Sequence, residues 1–577
     1  MAEPHNGVSG VSTERTEERH ESKVEVIKRE SRYLRGTLKE ALVDGQPKFS
    51  EENVQVLKFH GVYQQDDRDL RAQLKKEGKD RHWIMMVRAR IPGGVLTADQ
   101  YLAFDDIASR LSEYGSLRIT TRQTIQLHGI VKDRLKETIR EINDALVTTL
   151  GGCGDQVRNI ICCPAPGDEP FRREMREDLL ALVARLGAKT GAYHEIWLDG
   201  EPVELAPGES EEPLYGDVYL PRKFKVAIAP EGDNCIDVYD NDVGLVAHLE
   251  EGRIVGYTVL VGGSMGRTAS DPNTYPRLAS PLAYIPRHEV VEVVTAIVTV
   301  QRDFGDRANR RFARLKYTID RRGLDWMRSE VEARLGRPLA PPRTLVWTNA
   351  DDHLGWHREA VGRSYLGLFV PQGRVVDTEA VRLKSGLRQV VERFRPTVRL
   401  TPQQNVLLSG IPDEARQEVE ACLREFGVRL ADEWSLTRRR AMACVALPTC
   451  GLAVAESERV LPAVVAQFEP MFEALGLADE GITIRVTGCP NGCARPYNAN
   501  IALVGRTMGK YDVFLGGSEV GTALNERFRE VVPLAEVAEA VRPVLEAFAA
   551  EREPGEAFGD FVRRVGLERF RAEPVRA

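Results

Sequence analysis

The sequence predicts an α+β protein made of two related halves. Segments with strand-like and helix-like patterns follow one another from Trp83 onward. A strand pair at Leu117–Ile130 recurs as RLTPQQNVLLSGI at Arg399–Ile411. Similar turns precede the two copies, RIPGGV near Pro92 and FVPQGRV near Pro371. These three observations indicate an internal duplication.

The composition is that of a globular protein with several domains, since the chain has 577 residues and is 42% hydrophobic. A net charge of -7 argues against nucleic acid as a main partner. No run of about eighteen apolar residues could span a membrane, and the first residues lack the apolar stretch of a signal sequence. We therefore expect a cytoplasmic protein. Residues 1–60 are polar and charged, which predicts a flexible arm with a little helix.

The first ordered elements are expected after Tyr63. WIMMVRAR, from Trp83 to Arg90, predicts a strand that ends at the turn beginning with Pro92. A helix should follow, because Thr97 and Gln100 have the spacing of a capping box. Its apolar side carries Leu102, Ile107 and Leu111, and it should end near Gly115.

The segment LRITTRQTIQLHGI, from Leu117 to Ile130, alternates with a period of two and predicts two strands joined near Arg122. One face is apolar. The other face carries what we call the donor row, which consists of Arg118, Thr120, Arg122, Gln126 and His128. A solvated sheet face usually mixes acids with bases, whereas this row has no acid. It therefore predicts a surface that binds an anion.

The second copy has lost this row, because Gln403, Leu407 and Ser409 replace Arg122, Gln126 and His128. Two further pairs of segments look alike by eye. RNIICC at Arg158–Cys163 resembles RAMAC at Arg440–Cys444, and VGGSMGR at Val261–Arg267 resembles TGCPNGC at Thr487–Cys493. From these pairs we expect one half to hold a metal cluster and the other to hold cationic residues.

Four of the nine cysteines form two pairs, Cys444 with Cys450 and Cys489 with Cys493. Their spacing is wider than that of the tight loops that bind a single zinc ion, so it favours an iron-sulfur cluster. Pro448, Pro490, Gly488 and Gly492 keep both segments out of regular helix and leave backbone N–H groups free to face sulfur. Buried structural thiols and a zinc site are the alternatives. Nine cysteines are too few for a disulfide framework in a chain of this length.

A basic run, YLPRKFK, places Arg222, Lys223 and Lys225 close together. Such runs are commonly solvated surface. Lys223 and Lys225 share a strand face, however, and Arg88 and Arg158 would complete a four-cation set that an anion would neutralise. The sequence contains neither GxGxxG nor GxxxxGK[ST], so electrons must come from a partner.

These residues resemble the sulfite and nitrite reductases that use siroheme and a 4Fe-4S cluster, and most closely the assimilatory sulfite reductases among them. The resemblance extends from about Tyr63 to FGDFVRRVG near the C-terminus. It implies a pseudo-two-fold fold of three domains, with ferredoxin-like half-domains and two larger mixed-sheet domains. The implied division is an arm at 1–60, half-domains at 61–150 and 346–425, and larger domains at 151–345 and 426–577.

The resemblance also implies roles for individual residues. The ligands of the 4Fe-4S cluster would be Cys444, Cys450, Cys489 and Cys493, and Cys493 would also bind the siroheme iron axially. Siroheme contacts would come from Arg118, Thr120, Arg122, Gln126, His128, Asn159 and Asn491. The substrate would be bound by Arg88, Arg158, Lys223 and Lys225. Thr121 stands where a close relative is expected to have asparagine.

The implied reaction is the six-electron reduction of sulfite to sulfide. The arginines would bind and orient the anion, and the lysines would bind it and deliver protons. Lys225 favours sulfite over nitrite, since related nitrite reductases tend to have asparagine at that position. The expected donor is an NADPH-dependent flavoprotein (alpha) subunit, with ferredoxin as the alternative.

A non-catalytic iron-sulfur scaffold would show gaps in the four-cation set, and the sequence has none. Cys153, Cys162, Cys163, Cys235 and Cys422 are interpreted as structural.

Overall fold

The computed structural model describes residues 21–193, 197–198, 201–202 and 211–571. Four five-stranded sheets, two in the half-domains and two in the larger domains, form the framework of this part of the chain. None of its helices is both long enough and apolar enough to cross a lipid bilayer.

The predicted arm is packed against the body over the part that the structure describes. Residues 1–20 lie outside the described residues. Beyond them come the helices Lys23–Glu30, Leu38–Ala41 and Glu51–Leu57. Ile27 and Leu34 are buried in the core of the first larger domain. The prediction of a flexible arm is thus wrong for residues 21–60, because scattered apolar residues in a polar segment are enough to anchor it.

The two half-domains have the same sheet. In the first half-domain the strand order is Val62–Asp66, Trp83–Arg88, Ile125–Ile130, Leu117–Ile119, Arg374–Val375. In the second half-domain it is Gly355–Ala360, Arg363–Leu368, Val406–Pro412, Thr397–Leu400, Val95–Leu96. All neighbouring pairs are antiparallel. The helices that cover them are Ala98–Leu111, Lys132–Asp144, Leu383–Phe394 and Arg416–Glu425. One hydrophobic core runs through both half-domains.

Each half-domain lends its short strand to the sheet of the other. Val95–Leu96 pairs with the second-half strand Thr397–Leu400, and Arg374–Val375 pairs with Leu117–Ile119. The turn glycines before these strands allow the crossing. A Cβ at Gly94 would lie 2.5 Å from the Leu400 carbonyl oxygen, and one at Gly373 would lie 2.4 Å from that of Ile119. The two half-domains are therefore one folded unit.

Most local predictions for the first half-domain are confirmed. The Thr97–Gln100 capping box is present, and the strand and helix end at Arg88 and Leu111, a few residues before the predicted limits. In the strand pair, Arg118 lies opposite Gln126. Both strand faces are buried, since the donor row, apart from the half-buried Arg122, is as enclosed as the apolar face.

The two larger domains also repeat one sheet. The orders are Ile161–Cys162, Val226–Pro230, Val243–Glu250, Arg253–Val261, Ser280–Pro286 and Met442–Ala443, Ile484–Thr487, Ile501–Thr507, Lys510–Leu515, Glu526–Pro533. In each sheet the first three strands run parallel to one another, and the fourth and fifth strands each run antiparallel to the strand before them. The main helices are Pro170–Leu186, Val290–Phe304, Leu315–Arg322, Leu324–Leu335, Leu461–Ala474 and Val537–Glu551. Each domain has its own core.

Shorter elements complete the described chain. The remaining helices are Arg71–Lys76, Leu436–Arg440, Phe558–Val565 and Glu568–Arg571. Gly232–Asp233 pairs in parallel with Trp347–Asn349, and Trp197–Leu198 pairs with Glu201–Pro202. The first of these ladders joins the first larger domain to the segment that enters the second half-domain.

The strand order corrects one predicted correspondence between the halves. Val261–Arg267 follows the fourth strand of its sheet, so its counterpart is the segment after Lys510–Leu515, and not Thr487–Cys493. The counterpart of Thr487–Cys493 follows Val226–Pro230 and ends at Cys235. Both segments lead without gaps to a residue with positive φ, Asp237 at 50° and Arg495 at 53°. Three glycine-rich loops have similar sequences, so their sequences alone do not decide which of them correspond.

Candidate functional site

The four paired cysteines gather at the carboxyl ends of two parallel strands in the second larger domain. Cys444 directly follows Met442–Ala443, and Cys489 comes two residues after Ile484–Thr487. Cys450 and Cys493 lie in the loops that continue from them. Cys489 is buried, Cys444 and Cys450 are half-buried, and Cys493 is exposed.

The thiols affect one another's pKa values, and two of their sulfur atoms accept hydrogen bonds from N–H donors. Burial raises the pKa of Cys444 to about 12 and that of Cys489 to about 11, and in both cases Cys493 contributes to the rise. Burial and Cys493 also raise the pKa of Cys450. Gly488 N–H donates to Cys444 Sγ at 3.3 Å, and Asn491 Nδ2 donates to Cys489 Sγ at 3.5 Å. The predicted approach of a backbone N–H to sulfur is confirmed at Gly488, and Asn491 adds a side-chain donor.

The separation of these sulfurs suits a cluster better than a single ion. Four sulfurs around one zinc ion lie about 3.8 Å apart, as tetrahedral geometry with 2.3 Å bonds requires. Among the described residues, no three of these four cysteines bring their sulfurs within 4.8 Å of one another. The donor set and its wider spacing therefore fit a 4Fe-4S cluster.

The donor row contacts the segments that carry the four cysteines, and its Arg118 is paired with an acid. Arg118 donates to Glu458 Oε2 at 2.9 Å and to the carbonyl oxygen of Ala443 at 2.9 Å. Glu458 is also paired with Arg374 at 2.7 Å. The row itself contains no acid, but an acid 340 residues away in sequence meets it in the fold.

Several buried polar atoms around the donor row have no hydrogen-bond partner within the described chain. They are Arg88 Nε, Arg122 Nε, Gln126 Oε1, His128 Nδ1, His128 Nε2 and Asn159 Oδ1. Buried polar groups are normally satisfied. A concentration of unsatisfied groups beside four cysteines fits a bound cofactor that carries many carboxylates, as siroheme does.

The remaining predicted contacts lie in the same region. Thr120 shares a hydrogen bond of 2.7 Å with Thr124. Asn159 Nδ2 donates to the Arg122 carbonyl oxygen at 2.9 Å, and Arg122 Nη1 donates to Asn241 at 2.6 Å. Thr121, the departure from the family pattern, donates to the Cys493 carbonyl oxygen at 3.1 Å. The turn that carries Thr120 and Arg122 is therefore linked directly to the cysteine loop.

The structure brings the arginines of the four-cation set together. Arg88 Nη1 donates to Cys153 Sγ at 3.2 Å. Arg158 Nε donates to the Gly154 carbonyl oxygen at 2.8 Å, and Arg158 N–H donates to Phe224, between the two lysines. Burial, together with the charges of Arg158 and Arg88, lowers the pKa of Arg122 to about 9. The positive groups thus lie close enough to repel one another.

The surroundings of Lys223 and Lys225 disfavour the protonated, charged form of each side chain. Burial lowers the pKa of Lys225 to about 7, with Arg314 and Arg122 adding to the effect. Burial, Arg314 and Lys225 lower the pKa of Lys223 well below its ordinary value. The nearby acids Asp242 and Asp155 are paired with Arg314 and Arg222, and the ion pairs of the described residues include neither lysine. An anion placed here would restore both charges.

Sequence reasoning missed Arg314 and Glu458. Arg314 is buried and pairs with Asp242 at 2.8 Å, which positions it to repel both lysines. It lies in the run RANRRFARLK, whose charge density is typical of a solvated surface. Glu458 lies in the turn before the helix Leu461–Ala474, and no sequence motif marks that turn. Neither residue belongs to a local pattern that could have indicated its role.

Family models match four stretches of the chain. The model described as "Nitrite and sulphite reductase 4Fe-4S domain" matches residues 182–339 and 435–575. The model described as "Nitrite/Sulfite reductase ferredoxin-like half domain" matches residues 76–145 and 357–426. Each model matches twice, in agreement with the duplicated sheets.

Whole-length relatives match as well. The chain is 45% identical over 545 residues to the "Sulfite reductase [NADPH] hemoprotein beta-component" of Staphylococcus saprophyticus, covering 94% of this chain and 95% of that protein. It is 44% identical over 551 residues to the protein of the same name from Paenibacillus sp., with the same coverage. The structure of Mycobacterium tuberculosis NirA protein has a TM-score of 0.76, with 24% identity over 96% of this chain and 98% of that one, and supports the fold.

Proposed function

The chain belongs to the nitrite and sulfite reductase family, and from that membership we propose that it is the sulfite-reducing, siroheme and 4Fe-4S subunit of an NADPH-dependent enzyme. The reaction is the six-electron reduction of sulfite to sulfide. The observation that carries the proposal is the set of unpaired, buried polar atoms that converge beside four cysteines.

The chain's own residues would hold both cofactors. The four cysteines would ligate the cluster, with Cys493 shared between cluster and siroheme. The donor row, with Asn159 and Asn491, would receive the siroheme carboxylates, and His128 offers two unpaired ring nitrogens for that purpose. When bound, the two cofactors supply the electrons one at a time to the sulfur of the substrate.

Anion binding falls to the four-cation set. Arg88 and Arg158 stay charged and present planar donor groups, so they would bind and orient the sulfite oxygens. Lys223 and Lys225 lie beside them and have lowered pKa values. Sulfite would draw protons onto these lysines as it binds, because its negative charge offsets the repulsion from Arg314.

The same lysines would supply protons as the S–O bonds break. Each oxygen leaves as water and needs two protons, so the site must be protonated repeatedly during one turnover. A lysine with a pKa near 7 exchanges protons readily at neutral pH, which an arginine does not. Binding and proton delivery would thus fall to different members of the four-cation set.

We propose that an NADPH-dependent flavoprotein (alpha) subunit delivers the electrons. The support is the name of the whole-length relatives, which are hemoprotein beta-components of NADPH sulfite reductases. The test is to reconstitute NADPH-driven sulfite reduction from this chain and such a flavoprotein. If reduced ferredoxin sustains turnover and the flavoprotein does not, the ferredoxin alternative replaces this part of the proposal.

The substrate is tested with an artificial low-potential donor. Values of kcat/KM for sulfite and nitrite are compared while sulfide and ammonia are measured. We expect a clear preference for sulfite. In Lys225→Asn, kcat/KM for sulfite should fall about 10- to 100-fold, the cost of one charge-assisted hydrogen bond of about 1.5–3 kcal/mol.

Lys136→Asn is the matched control, because Lys136 is an exposed lysine on the helix Lys132–Asp144. It should keep the activity of the unaltered enzyme. A preference for nitrite in the unaltered enzyme would contradict the proposed role of Lys225 in substrate choice.

A further inference from the structure

A second group of metal-ligand side chains lies in the first larger domain, away from the four paired cysteines. One atom each from Cys163, Asp233, Cys235 and His353 lies within 4.8 Å of the others. His353 Nε2 is 3.1 Å from Asp233 Oδ2, and Cys163 Sγ is 3.4 Å from each of these two atoms. Within the part of the chain that the structure describes, this is the only group of its kind.

Three chain segments supply these four residues. Cys163 directly follows the strand Ile161–Cys162. Asp233 and Cys235 lie in the loop after Val226–Pro230, and His353 precedes the strand Gly355–Ala360. The ladder between Gly232–Asp233 and Trp347–Asn349 holds the second and third segments together.

The two cysteines occupy positions that bind the cluster in the other half. Cys163 directly follows the edge strand of its sheet, as Cys444 does in the other sheet. The Cys163 N–H donates to the Ile228 carbonyl oxygen on the neighbouring strand, and the Cys444 N–H donates to that of Val486, both at 3.3 Å. When the two segments are aligned without gaps from Ile228 and Val486 onward, Cys235 corresponds to Cys493. The duplication has therefore preserved two thiols at matching places.

The second copy of the donor row also takes part. Thr401 and Gln403 are the counterparts of Thr120 and Arg122. Thr401 Oγ1 donates to Asp352 at 2.5 Å, and Gln403 Nε2 donates to the Ala350 carbonyl oxygen at 2.8 Å. They fix the segment that carries His353 in the region that corresponds to the cofactor site of the first copy.

The ligand atoms are oriented by a surrounding layer of hydrogen bonds. Asp233 Oδ1 accepts from Cys235 N–H at 3.0 Å and from Asn349 Nδ2 at 3.1 Å, which leaves Oδ2 facing Cys163 and His353. His353 N–H donates to Asp352 at 3.2 Å. Such bonds around the ligands are typical of protein metal sites.

We propose that Cys163, Asp233, Cys235 and His353 bind one zinc ion. Two thiolates, one imidazole and one carboxylate make a tetrahedral set of the kind that zinc prefers. The separations of 3.1 to 3.4 Å among Cys163 Sγ, Asp233 Oδ2 and His353 Nε2 are close to the ligand separations around a single ion. Both cysteines are buried, whereas the Asp233 and His353 side chains are 18% and 16% exposed, so an ion can enter from their side.

The ion would be structural, because all four coordination positions are filled by the protein. It would tie a loop of the first larger domain to the segment that leads into the second half-domain. The competing states of these residues are a disulfide between Cys163 and Cys235 and a metal-free charge pair between Cys163 and His353.

The test is the metal content of the purified holoenzyme, measured by inductively coupled plasma mass spectrometry. We expect about one zinc per chain in addition to the iron of the cofactors. Cys163→Ser should lose the zinc and keep the iron. Cys162→Ser is the control, since Cys162 is buried one residue earlier on the opposite face of the same strand, and it should keep both metals.

A second measurement avoids dependence on the folding of a variant. In the unaltered holoenzyme, a mercurial reagent should release zinc in step with modification of buried thiols, and a colorimetric chelator should detect it. Holoenzyme without zinc, zinc retained in Cys163→Ser, or two thiols that titrate only after reduction would each overturn the proposal.

Discussion

Lys225 gives the site its expected pH dependence. A lysine is charged below its pKa, and burial together with Arg314 holds that of Lys225 at about 7. We therefore expect kcat/KM for sulfite to fall as the pH rises above about 7. Cofactor carboxylates nearby would move the fall upward, because negative charge favours the protonated amine.

Lys225→Arg separates this residue from the titration of sulfite itself. Arginine stays charged, so the fall at high pH should move up by at least about one pH unit. The maximal kcat should drop, because arginine does not release protons. The measurement is kcat/KM from pH 6 to 9 with an artificial donor. Profiles that coincide for the two enzymes would contradict the role of Lys225.

Cys493 is the residue on which cofactor binding depends most. In Cys493→Ser we expect sulfite turnover to fall by more than about 100-fold, since even residues around a metal ligand contribute about 10- to 100-fold. Sulfide formation and iron content are the measurements. Cys422→Ser, a buried thiol on the helix Arg416–Glu425, should retain both. Full turnover in Cys493→Ser would remove the basis of the proposed function.

At the scale of single elements, the helix Lys23–Glu30 shows how an apparently disordered segment becomes fixed. Glu25 and Lys28 are buried and lie 2.5 Å apart. Arg307 reaches Glu25 at 2.5 Å, and Lys28 also donates to the Leu220 carbonyl oxygen at 2.9 Å. The helix is thereby attached to the same segment that carries Lys223 and Lys225.

Glu25→Gln should destabilise the protein by about 3–5 kcal/mol, because the buried Lys28 and the half-buried Arg307 lose the carboxylate they share. Thermal unfolding of the holoenzyme is the measurement. Glu30→Gln on the exposed side of the same helix should change stability by no more than about 0.5 kcal/mol. Equal effects of the two substitutions would mean that the helix is not held by this pair.

Local elements were predictable from sequence where one physical rule decided them. Alternation fixed the strands around Arg118 and Gln126, and the Thr97–Gln100 spacing fixed a helix start. The packed helix at Glu25 was not predictable, since its partners lie about 280 residues away. The wrong counterpart for the Val261 loop arose because glycine-rich turns look alike without the strand order.

The candidate site was predictable from sequence only in part. Cysteine spacing indicated a cluster directly, whereas no linear motif joins Arg88 and Arg158 to the lysines, and only the family resemblance implied that the four bind the substrate. The interpretation of Cys163 and Cys235 as structural thiols left out Asp233 and His353, because no linear motif joins these four residues.

At the scale of the whole molecule, Glu458 connects three parts of the structure. It leads into the helix of the cluster-bearing domain and pairs with Arg118 of the first half-domain and Arg374 of the second. Its pKa stays below the ordinary value, since the two arginines outweigh the opposing effect of burial. The carboxylate is therefore charged at neutral pH, where it joins the domains.

Glu458→Gln should destabilise the assembled domains by about 3–5 kcal/mol, because the buried Arg118 and the half-buried Arg374 lose their acid. We also expect a lower siroheme content, since Arg118 would lose its orientation. Thermal unfolding and the visible absorbance of the purified protein are the measurements. Glu473→Gln, an exposed position of the same domain, is the control. Unchanged stability and siroheme content would contradict this role for Glu458.

The strand exchange between the half-domains sets an order of events during protein synthesis. The first sheet ends with Arg374–Val375, so it cannot be completed until the ribosome has made that strand. At about 5–20 residues per second, the edge formed by Leu117–Ile119 stays unpaired for tens of seconds. An open strand edge is a template for pairing with other chains. The growing chain is therefore most prone to aggregate between the synthesis of its first and second half-domains.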